Sequence, residues 1–507
     1  MPFTRIANST SDALRSAGSY VSDFMTPTVR LGVTGLSRAG KTVFITSLVR
    51  NLVVGGRLPF FRAHASGRIL RAYLEPQPDD AVPRFDYERH LKTLSADPPE
   101  WPSSTRRISE LRVTIEYEAE KTLWRYLGPA KLHLDIVDYP GEWLTDLALL
   151  DKPYATWAAE SLDLVAARGQ APAAAAFLEF VATLAKPAAE PAAEPRDSEQ
   201  IALDGARLFT AALAEARIAD GGIATLSPGR FLMPGDLEGS PLLTFFPFAG
   251  TAVATVPDAD DAGAGANDAS ALVALLTRRY ESYKSHVVRP FFRDHFSRID
   301  RQIVLVDALG ALHTGARAVA DLERALEGVL TAFRPGTNSW LSSLLSRRVD
   351  HLLFAATKAD HLHHTSHDRL EAILRLVTDR AIARAEAAGA EVRVMALAAI
   401  RATRETEVKQ GGEKLACIVG VPLPGETIDG RVFDGKAEAA VFPGDLPENA
   451  EDALAALADD GGNAGDVSVI RFRPPRMPLA AKDGRAIALP HIRLDRALDF
   501  LIGDRIR

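Results

Sequence analysis

Residues 35–42 read Gly-Leu-Ser-Arg-Ala-Gly-Lys-Thr and match the phosphate-binding pattern G-x-x-x-x-G-K-[ST]. Glycines let backbone N–H groups turn around a phosphate, and the start of a following helix adds a favourable dipole. In this pattern Lys41 contacts the β- and γ-phosphate oxygens, and Thr42 binds Mg²⁺. The pattern therefore predicts a nucleoside triphosphate site. The residues expected to contact the nucleotide here are Gly35, Ser37, Arg38, Ala39, Gly40, Lys41, Thr42 and Val43.

A second motif follows a short apolar run, Leu132 to Val137, which we interpret as a buried strand. Asp138-Tyr-Pro-Gly141 forms a D-x-x-G, the motif whose aspartate assists Mg²⁺ and whose glycine N–H contacts the γ-phosphate in GTP-binding switch proteins. Glu142 comes next, where such proteins carry the side chain that orients the attacking water. We therefore expect Asp138 at the metal, Gly141 at the nucleotide and Glu142 in catalysis.

A third motif, Thr357-Lys358-Ala359-Asp360, follows the apolar run Leu352 to Ala356. The carboxylate of a [NT]-K-x-D motif accepts hydrogen bonds from the two N–H donors on the edge of guanine. Adenine has no such donor pair and would leave that buried charge unpaired, so the motif favours GTP over ATP. The small residues Ala398 and Ala399, after a strand over Val392 to Leu397, occupy the place of the loop that packs against guanine.

Asp307 offers a competing interpretation. It ends the apolar run Ile303 to Val306 in a second D-x-x-G and could be the magnesium-site aspartate of an ATPase. The core needs a further strand between the first D-x-x-G and the T-K-x-D, however, and this run supplies it. We interpret Asp307 as a structural residue at the end of that strand and keep the ATPase as the alternative.

Two assignments rest on less specific signals. Thr105 precedes the alternating strand Glu110 to Tyr117 and is our choice for the second hydroxyl ligand of Mg²⁺, with Ser103, Ser104 and Ser109 as rivals. Catalysis is assigned to Lys41, Glu142 and Arg38, since an arginine inside the phosphate loop can neutralise charge in the transition state. A carboxylate beside phosphate oxygens is repelled, so Glu142 predicts slow hydrolysis.

Composition restricts the class of protein. The 507 residues are 47% hydrophobic and 25% charged, which is ordinary for a soluble globular chain longer than one domain. A net charge of −7 does not predict a nucleic-acid surface. Cys417 is the single cysteine, which excludes internal disulfides, and neither a signal sequence nor a transmembrane run is present. We expect a cytoplasmic protein.

The order of elements predicts an α/β fold of the P-loop NTPase class, with a GTPase-like, mostly parallel sheet and flanking helices. The long Ala- and Leu-rich stretch after Glu142 predicts a large inserted helical subdomain. The short strand-like runs separated by turns after Arg404 predict a small β-rich addition. The predicted division is an N-terminal helix over 1–28, a first core part over 29–145, the insertion over 146–298, a second core part over 299–405, and a β-rich region with a C-terminal helix over 406–507.

Four histidines, His361, His363, His364 and His367, follow Asp360. No cysteine or tight carboxylate set lies near them in the sequence, so we interpret this stretch as a polar loop rather than a metal site.

Taken together, the extended phosphate loop, Asp138-Tyr-Pro-Gly-Glu-Trp-Leu, Thr357-Lys-Ala-Asp360 and Ala399-Ile-Arg-Ala-Thr-Arg404 resemble the YcjX-like family of bacterial P-loop nucleotide hydrolases over nearly the whole chain. The resemblance implies a GTPase-like core with a helical insertion. It also implies a link to envelope stress beside a membrane-protein partner, and so a place at the inner membrane.

Our functional hypothesis is an Mg²⁺-dependent switch that binds GTP and GDP and hydrolyses GTP slowly. The alternatives are a P-loop ATPase and a nucleotide-dependent scaffold with little hydrolysis. A nucleotide-dependent kinase is weaker because no second acid/base group of residues is found. The expected ligand is a guanine nucleotide with an unidentified protein partner, and nucleic acid is not expected.

Overall fold

Seven strands form the central sheet of the protein. The computed structural model describes residues 26–35, 38–103, 107–120, 129–185, 197–219, 227–249, 268–331, 349–410, 413–428, 430–460 and 469–507. The strands of the sheet are β1 (Thr28–Gly35), β2 (Ile69–Glu75), β3 (Ser109–Tyr117), β4 (Ala130–Asp138), β5 (Arg301–Val306), β6 (His351–Ala356) and β7 (Glu391–Ala396).

The strand order is β2-β3-β4-β1-β5-β6-β7. Strands β4, β1, β5, β6 and β7 pair in parallel, whereas β3 pairs antiparallel with both β4 and β2. The central strands are nearly continuous apolar runs because helices cover both of their faces, and every residue of β5 is buried. The prediction of an α/β fold with a mostly parallel sheet is confirmed.

The register of the parallel strands brings the motifs to one edge of the sheet. Val33 of β1 pairs with Asp138 of β4, and Ala356 of β6 pairs with Val306 of β5 and with Ala396 of β7. The segments after these strands are the phosphate loop, the D-x-x-G, the T-K-x-D and the Ala398-Ala399 loop. In open α/β sheets the carboxyl edge is where ligands bind.

Helices flank this sheet and fill the connections. Those in the described residues are α1 (Lys41–Val54), α2 (Arg62–Ala65), α3 (Tyr87–Leu94), α4 (Glu142–Thr145), α5 (Tyr154–Ala166), α6 (Pro172–Ala185), α7 (Ser198–Ala219), α8 (Gly229–Leu232), α9 (Asp268–Tyr283), α10 (Arg289–Asp294), α11 (Ala308–Thr314), α12 (Ala316–Thr331), α13 (His367–Val377), α14 (Asp379–Ala387), α15 (Ala450–Asp460) and α16 (Leu494–Ile502). The sequence predicts a terminal helix over about Leu494 to Ile502 and a helix stop at Gly55-Gly56. Both predictions are confirmed by α16 and by the end of α1.

Each face of the sheet has its own apolar core. On one face, Phe44 and Leu48 of α1 and Leu498 of α16 pack with β1 and β4. On the other face, helices α11 to α15 pack against alternate residues of β5 and β6, such as Val304 and Phe354. The segment just before α16 reaches the carboxyl edge of the sheet, where Ile492 forms a bridge with Ala398.

Residues 142–299, here called the helical segment, connect β4 to β5 through α4 to α10. They bury a third core that is rich in aromatic side chains, in which the Trp157 ring stacks on Tyr280 at 5.1 Å. Helical spacing of apolar residues over Leu203 to Ala216 and over Leu272 to His286 predicts two helices. They are present as α7 and α9, the latter continued by a π-helical turn over Lys284–Val288.

Residues 404–472, here called the β-segment, follow the last core strand. Strands β8 (Arg404–Gln410), β9 (Glu413–Gly420) and β12 (Ala439–Val441) form a three-stranded antiparallel sheet, and β10 (Thr427–Ile428) pairs with β11 (Arg431–Val432). The sequence also predicts a strand over Val467 to Phe472. In its described part only one bridge is formed, between Phe472 and Pro422.

Some predictions fall outside the described residues. These are most of the N-terminal helix over 1–28 and two low-complexity stretches that the sequence predicts to be exposed loops, over 186–196 and over 258–268, the second as far as residue 267. The five domain boundaries stay predictions. No helix within the described ranges combines the length and apolarity needed to cross a bilayer.

Candidate nucleotide-binding site

A cavity of about 330 Å³ opens at the carboxyl edge of the sheet. It brings together three predicted segments that are far apart in the sequence. The residues of these segments that line it are Arg38, Ala39, Gly40, Lys41, Thr42 and Val43 from the phosphate loop, Thr357, Lys358 and Asp360 from the T-K-x-D, and Ala398 and Ala399 from the loop after β7. The loop at Ala398 and Ala399, expected to pack against the nucleobase, is here called the base loop.

The phosphate loop turns sharply before α1 begins. Gly40 has φ 85° at the N-cap of the helix, a left-handed conformation that favours glycine, and Arg38 has φ 66°. Lys41 Nζ donates a hydrogen bond to the carbonyl of Gly35 at 2.9 Å, so the ammonium lies across the loop rather than in solvent. Ser37 lies outside the described residues. The described part of the loop has the shape that surrounds a phosphate.

Hard oxygen donors lie beside this loop, and they fit the preferences of Mg²⁺. Thr42 is buried in the first turn of α1, and Asp138 is fully buried at the end of the neighbouring strand β4. The backbone carbonyl of Thr42 accepts a hydrogen bond from Thr46 Oγ1 at 2.7 Å within α1. Thr105 and its rival Ser104 lie outside the described residues, while Ser109 is buried at the start of β3.

The T-K-x-D backbone is fixed to its neighbours. The Thr357 N–H donates to Val306 O at 2.8 Å, and the Ala359 N–H donates to Leu397 O at 3.2 Å. Asp360 is only 3% exposed, yet it lines the cavity. Its Oδ2 accepts from the Ala402 N–H at 2.7 Å, and its backbone carbonyl accepts from the Thr403 hydroxyl. A carboxylate has about four acceptor positions, so Asp360 can bind further N–H donors.

The base loop is held from two sides. Ala398 exchanges two backbone hydrogen bonds with Ile492, at 3.1 and 2.8 Å, in a segment just before α16. The carbonyl of Ala399 accepts from Ser47 Oγ at 2.5 Å, which ties the loop to α1. Hydrogen bonds to Ile492 and Ser47 therefore hold the base loop in place.

Asp307, the competing aspartate, has structural partners. Its Oδ1 accepts from the Gly310 N–H at 3.1 Å and so caps α11, and its Oδ2 forms an ion pair with Lys358 Nζ. Asp307 is not among the residues that line the cavity.

Gly141 and Glu142 lie where the D-x-x-G passes into the helical segment. Glu142 is 1% exposed, and its Oε1 is 3.3 Å from Arg217 Nη2 on α7. Neither Gly141 nor Glu142 is among the residues that line the cavity. In this structure the Glu142 carboxylate therefore faces the helical segment.

The histidines after Asp360 take separate positions. His363 and His364 approach Glu405, and the three ligand atoms lie within 4.8 Å of one another. Arg401 is also 3.4 Å from Glu405, and its positive charge opposes a cation there. His361 and His367 are buried, and burial lowers the pKa of both side chains.

Sequence reasoning missed one wall of the cavity. The residues that complete its lining are Phe44, Trp101, Pro102, Met233, His361, Leu397, Ile400, Leu423, Arg471 and Phe472. Several come from loops and from the β-segment, where no motif marks them. One signal is present in the sequence: the Pro-rich stretch Asp97-Pro-Pro-Glu-Trp-Pro102 is typical of an ordered loop held by aromatic residues.

Sequence comparison with known proteins identifies the family of the chain. The model of the YcjX-like family matches residues 29–506. The chain belongs to this family. A relative from Escherichia coli (strain K12), named Ras-like GTPase YcjX, is 36% identical over 486 residues, covering 94% of this chain and 96% of the relative. A relative of the same name from Shewanella oneidensis is 34% identical over 493 residues, covering 94% of each chain. The family resemblance expected from the motifs is confirmed.

Proposed function

We propose that the protein is an Mg²⁺-dependent switch that binds GTP and hydrolyses it slowly. The supporting observation is the single cavity that phosphate-loop residues line at one end and Asp360, Ala398 and Ala399 line at the other. The names of the two family relatives support the same class of ligand. This arrangement accounts for both a triphosphate and a guanine base.

At the phosphate end, Lys41 would exchange its hydrogen bond to Gly35 for contacts with phosphate oxygens. Thr42 and Asp138 would hold Mg²⁺, together with a hydroxyl of the loop at Thr105. The bound ion neutralises phosphate charge. At the other end, Asp360 would accept from the two N–H donors of guanine.

Slow turnover follows from the position of Glu142. Its carboxylate is paired with Arg217 and lies outside the cavity lining, so a water-orienting role would need movement. Arg38 is exposed at the mouth of the phosphate loop and is the candidate for charge neutralisation in the transition state. Intrinsic rates of about 10⁻⁴ per second without such an arginine and about 10⁻² with one bracket the expected value.

The switch would act through the helical segment, which we propose is an inserted subdomain. Trp143 and Asp146 are buried at the start of this segment, directly after Gly141, and contact its later parts. Trp143 lies under the guanidinium of Arg230, 3.2 Å from the ring centroid, and its Nε1 donates to Met233 O at 3.3 Å. Because Met233 also lines the cavity, a shift at Gly141 has a direct path into these helices.

The proposal is tested by titrating GTP, GDP and ATP by calorimetry and by measuring phosphate release, with Lys41→Ala as the control. Asp360→Asn should lower affinity for guanine nucleotides at least tenfold, since it replaces one acceptor by a donor. Equal affinity for ATP and GTP, or unchanged GTP binding in Asp360→Asn, would refute the guanine assignment. Binding without turnover would favour the scaffold. A stress-linked membrane-protein partner and a location in the cytoplasm at the inner membrane belong to the proposal through the family resemblance alone.

A further inference from the structure

Two aromatic residues from distant parts of the chain line the end of the cavity near Asp360. Trp101 lies in the loop that precedes β3, and Phe472 lies at the end of the β-segment. Neither belongs to a motif of the GTPase core. Leu423 and Ile400 line the same region, so an apolar wall stands beside the one buried carboxylate at this end.

Phe472 is rigidly held. Its side chain is 1% exposed, and its ring packs edge-on against His361, with ring centroids 5.4 Å apart and planes at 83°. The backbone around it is paired, since the Leu423 N–H donates to Arg471 O and the Arg473 N–H donates to Val421 O, each at 2.8 Å. Because His361 directly follows Asp360, the phenyl ring and the carboxylate are fixed relative to each other.

Trp101 joins the two sides of this wall. Its indole Nε1 donates to the backbone carbonyl of Phe472 at 2.6 Å, across 371 residues of sequence. The tryptophan is partly buried and lines the cavity together with the adjacent Pro102. This hydrogen bond therefore connects the β-segment to the loop that leads towards Thr105, the expected hydroxyl ligand of Mg²⁺.

We propose that Trp101 and Phe472 form an aromatic wall that contacts the purine nucleoside of the bound nucleotide, an inference that rests on the proposed function. A purine offers two apolar faces and a polar edge. Asp360 binds the edge, and the aromatic wall shields an apolar face from water. Aromatic contact with a base contributes roughly 5- to 100-fold to affinity. The β-segment is thus part of the nucleotide site rather than an appendage to the core.

The test compares GDP with inorganic tripolyphosphate, which has no nucleoside. Both are titrated by calorimetry, in the presence of Mg²⁺, into the wild-type protein and into Phe472→Leu. We expect Phe472→Leu to weaken GDP about tenfold and to leave the affinity for tripolyphosphate unchanged. Phe433→Leu is the matched control, because Phe433 packs in the same apolar cluster as Phe472 but does not line the cavity.

A second variant guards against a loss of folding. Trp101→Phe keeps an aromatic ring and removes the indole N–H, and it should weaken GDP roughly threefold to tenfold with tripolyphosphate again unaffected. Equal weakening of both ligands would mean that the wall is only structural, and unchanged GDP binding would mean that it does not touch the nucleoside. Either result overturns the inference while wild-type GDP binding leaves the proposed function intact. Absence of GDP binding by the wild type would overturn both.

Discussion

The hydroxyl of Tyr283 donates a hydrogen bond to Asp146 Oδ2 at 2.6 Å, and both side chains are buried. The other oxygen of Asp146 accepts from the Gly229 N–H at 2.6 Å. Asp146 lies near the start of the helical segment, five residues after the D-x-x-G, whereas Gly229 and Tyr283 lie much further along it. The first turns after the D-x-x-G and the later helices of the segment are therefore joined by one carboxylate.

Burial raises the pKa of Asp146 to about 6, well above its ordinary value. The folded protein then binds more protons than the unfolded chain between about pH 4 and pH 6, so acidification through this window stabilises the fold. We expect the free energy of unfolding of the wild type, relative to Asp146→Asn, to rise by about 2 kcal/mol from about pH 7.5 to about pH 4.5. Urea unfolding at several pH values measures it, and parallel pH profiles for the two proteins would contradict it.

Arg217 forms an ion pair with the buried carboxylate of Glu142. In Arg217→Ala the buried carboxylate of Glu142 loses this positive charge. We therefore expect the free energy of unfolding to fall by about 2–3 kcal/mol. Adding Glu142→Gln to this variant should restore part of that loss, because the uncompensated charge is removed. Denaturant titrations of the two single variants and the double variant give the coupling, and strictly additive effects would show that the pair does not interact.

Thr42 and Thr46 provide a matched pair on α1, one helical turn apart and both buried. If the Thr42 hydroxyl binds the metal, chelating Mg²⁺ should weaken GDP binding to the wild type about tenfold and have little effect on Thr42→Ala. Thr46→Val removes a hydroxyl that bonds only within the helix and should keep the full dependence on Mg²⁺. GDP titrations with and without chelator distinguish the variants. Full Mg²⁺ dependence in Thr42→Ala would remove Thr42 from the metal site.

The two aspartates at strand ends should behave differently. Asp138→Asn is expected to reduce the effect of Mg²⁺ on nucleotide binding. Asp307→Asn should leave that effect unchanged and lower stability by about 1 kcal/mol, since it weakens the cap of α11 and the ion pair with Lys358. The reverse pattern would support the ATPase interpretation of Asp307. The measurements are GDP titrations at several Mg²⁺ concentrations and thermal unfolding.

The placement of three motif segments at one edge of the sheet could be predicted from local signals. The phosphate loop, the T-K-x-D and the base loop each follow an apolar run that ends at a recognisable residue type, and parallel pairing brings such ends to one edge of the sheet. The structure brings Lys41, Asp360 and Ala399 to one cavity for this reason. Edge strand β2 was not predicted, because its half-exposed residues alternate only weakly.

The features that sequence did not reveal depend on contacts between distant residues. Nothing in the residues around Phe472 indicates that it meets Trp101, and the burial of Asp146 follows only from the packing of Tyr283 and Gly229 around it. Likewise Glu142 was assigned by its place after Gly141. Its ion pair with Arg217 required knowledge of where α7 packs.

The two backbone hydrogen bonds between Ala398 and Ile492 have a consequence for synthesis of the protein. Translation produces the phosphate loop early, and the Ala398-Ala399 loop can bond to Ser47 once it emerges, but its second tie is missing until the ribosome has added residue 492 and the exit tunnel has released it. In our proposal, a nascent chain would therefore form its phosphate-binding loop before the loop beside the nucleobase is fully held in place, and discrimination between nucleobases would mature only as these last elements are made.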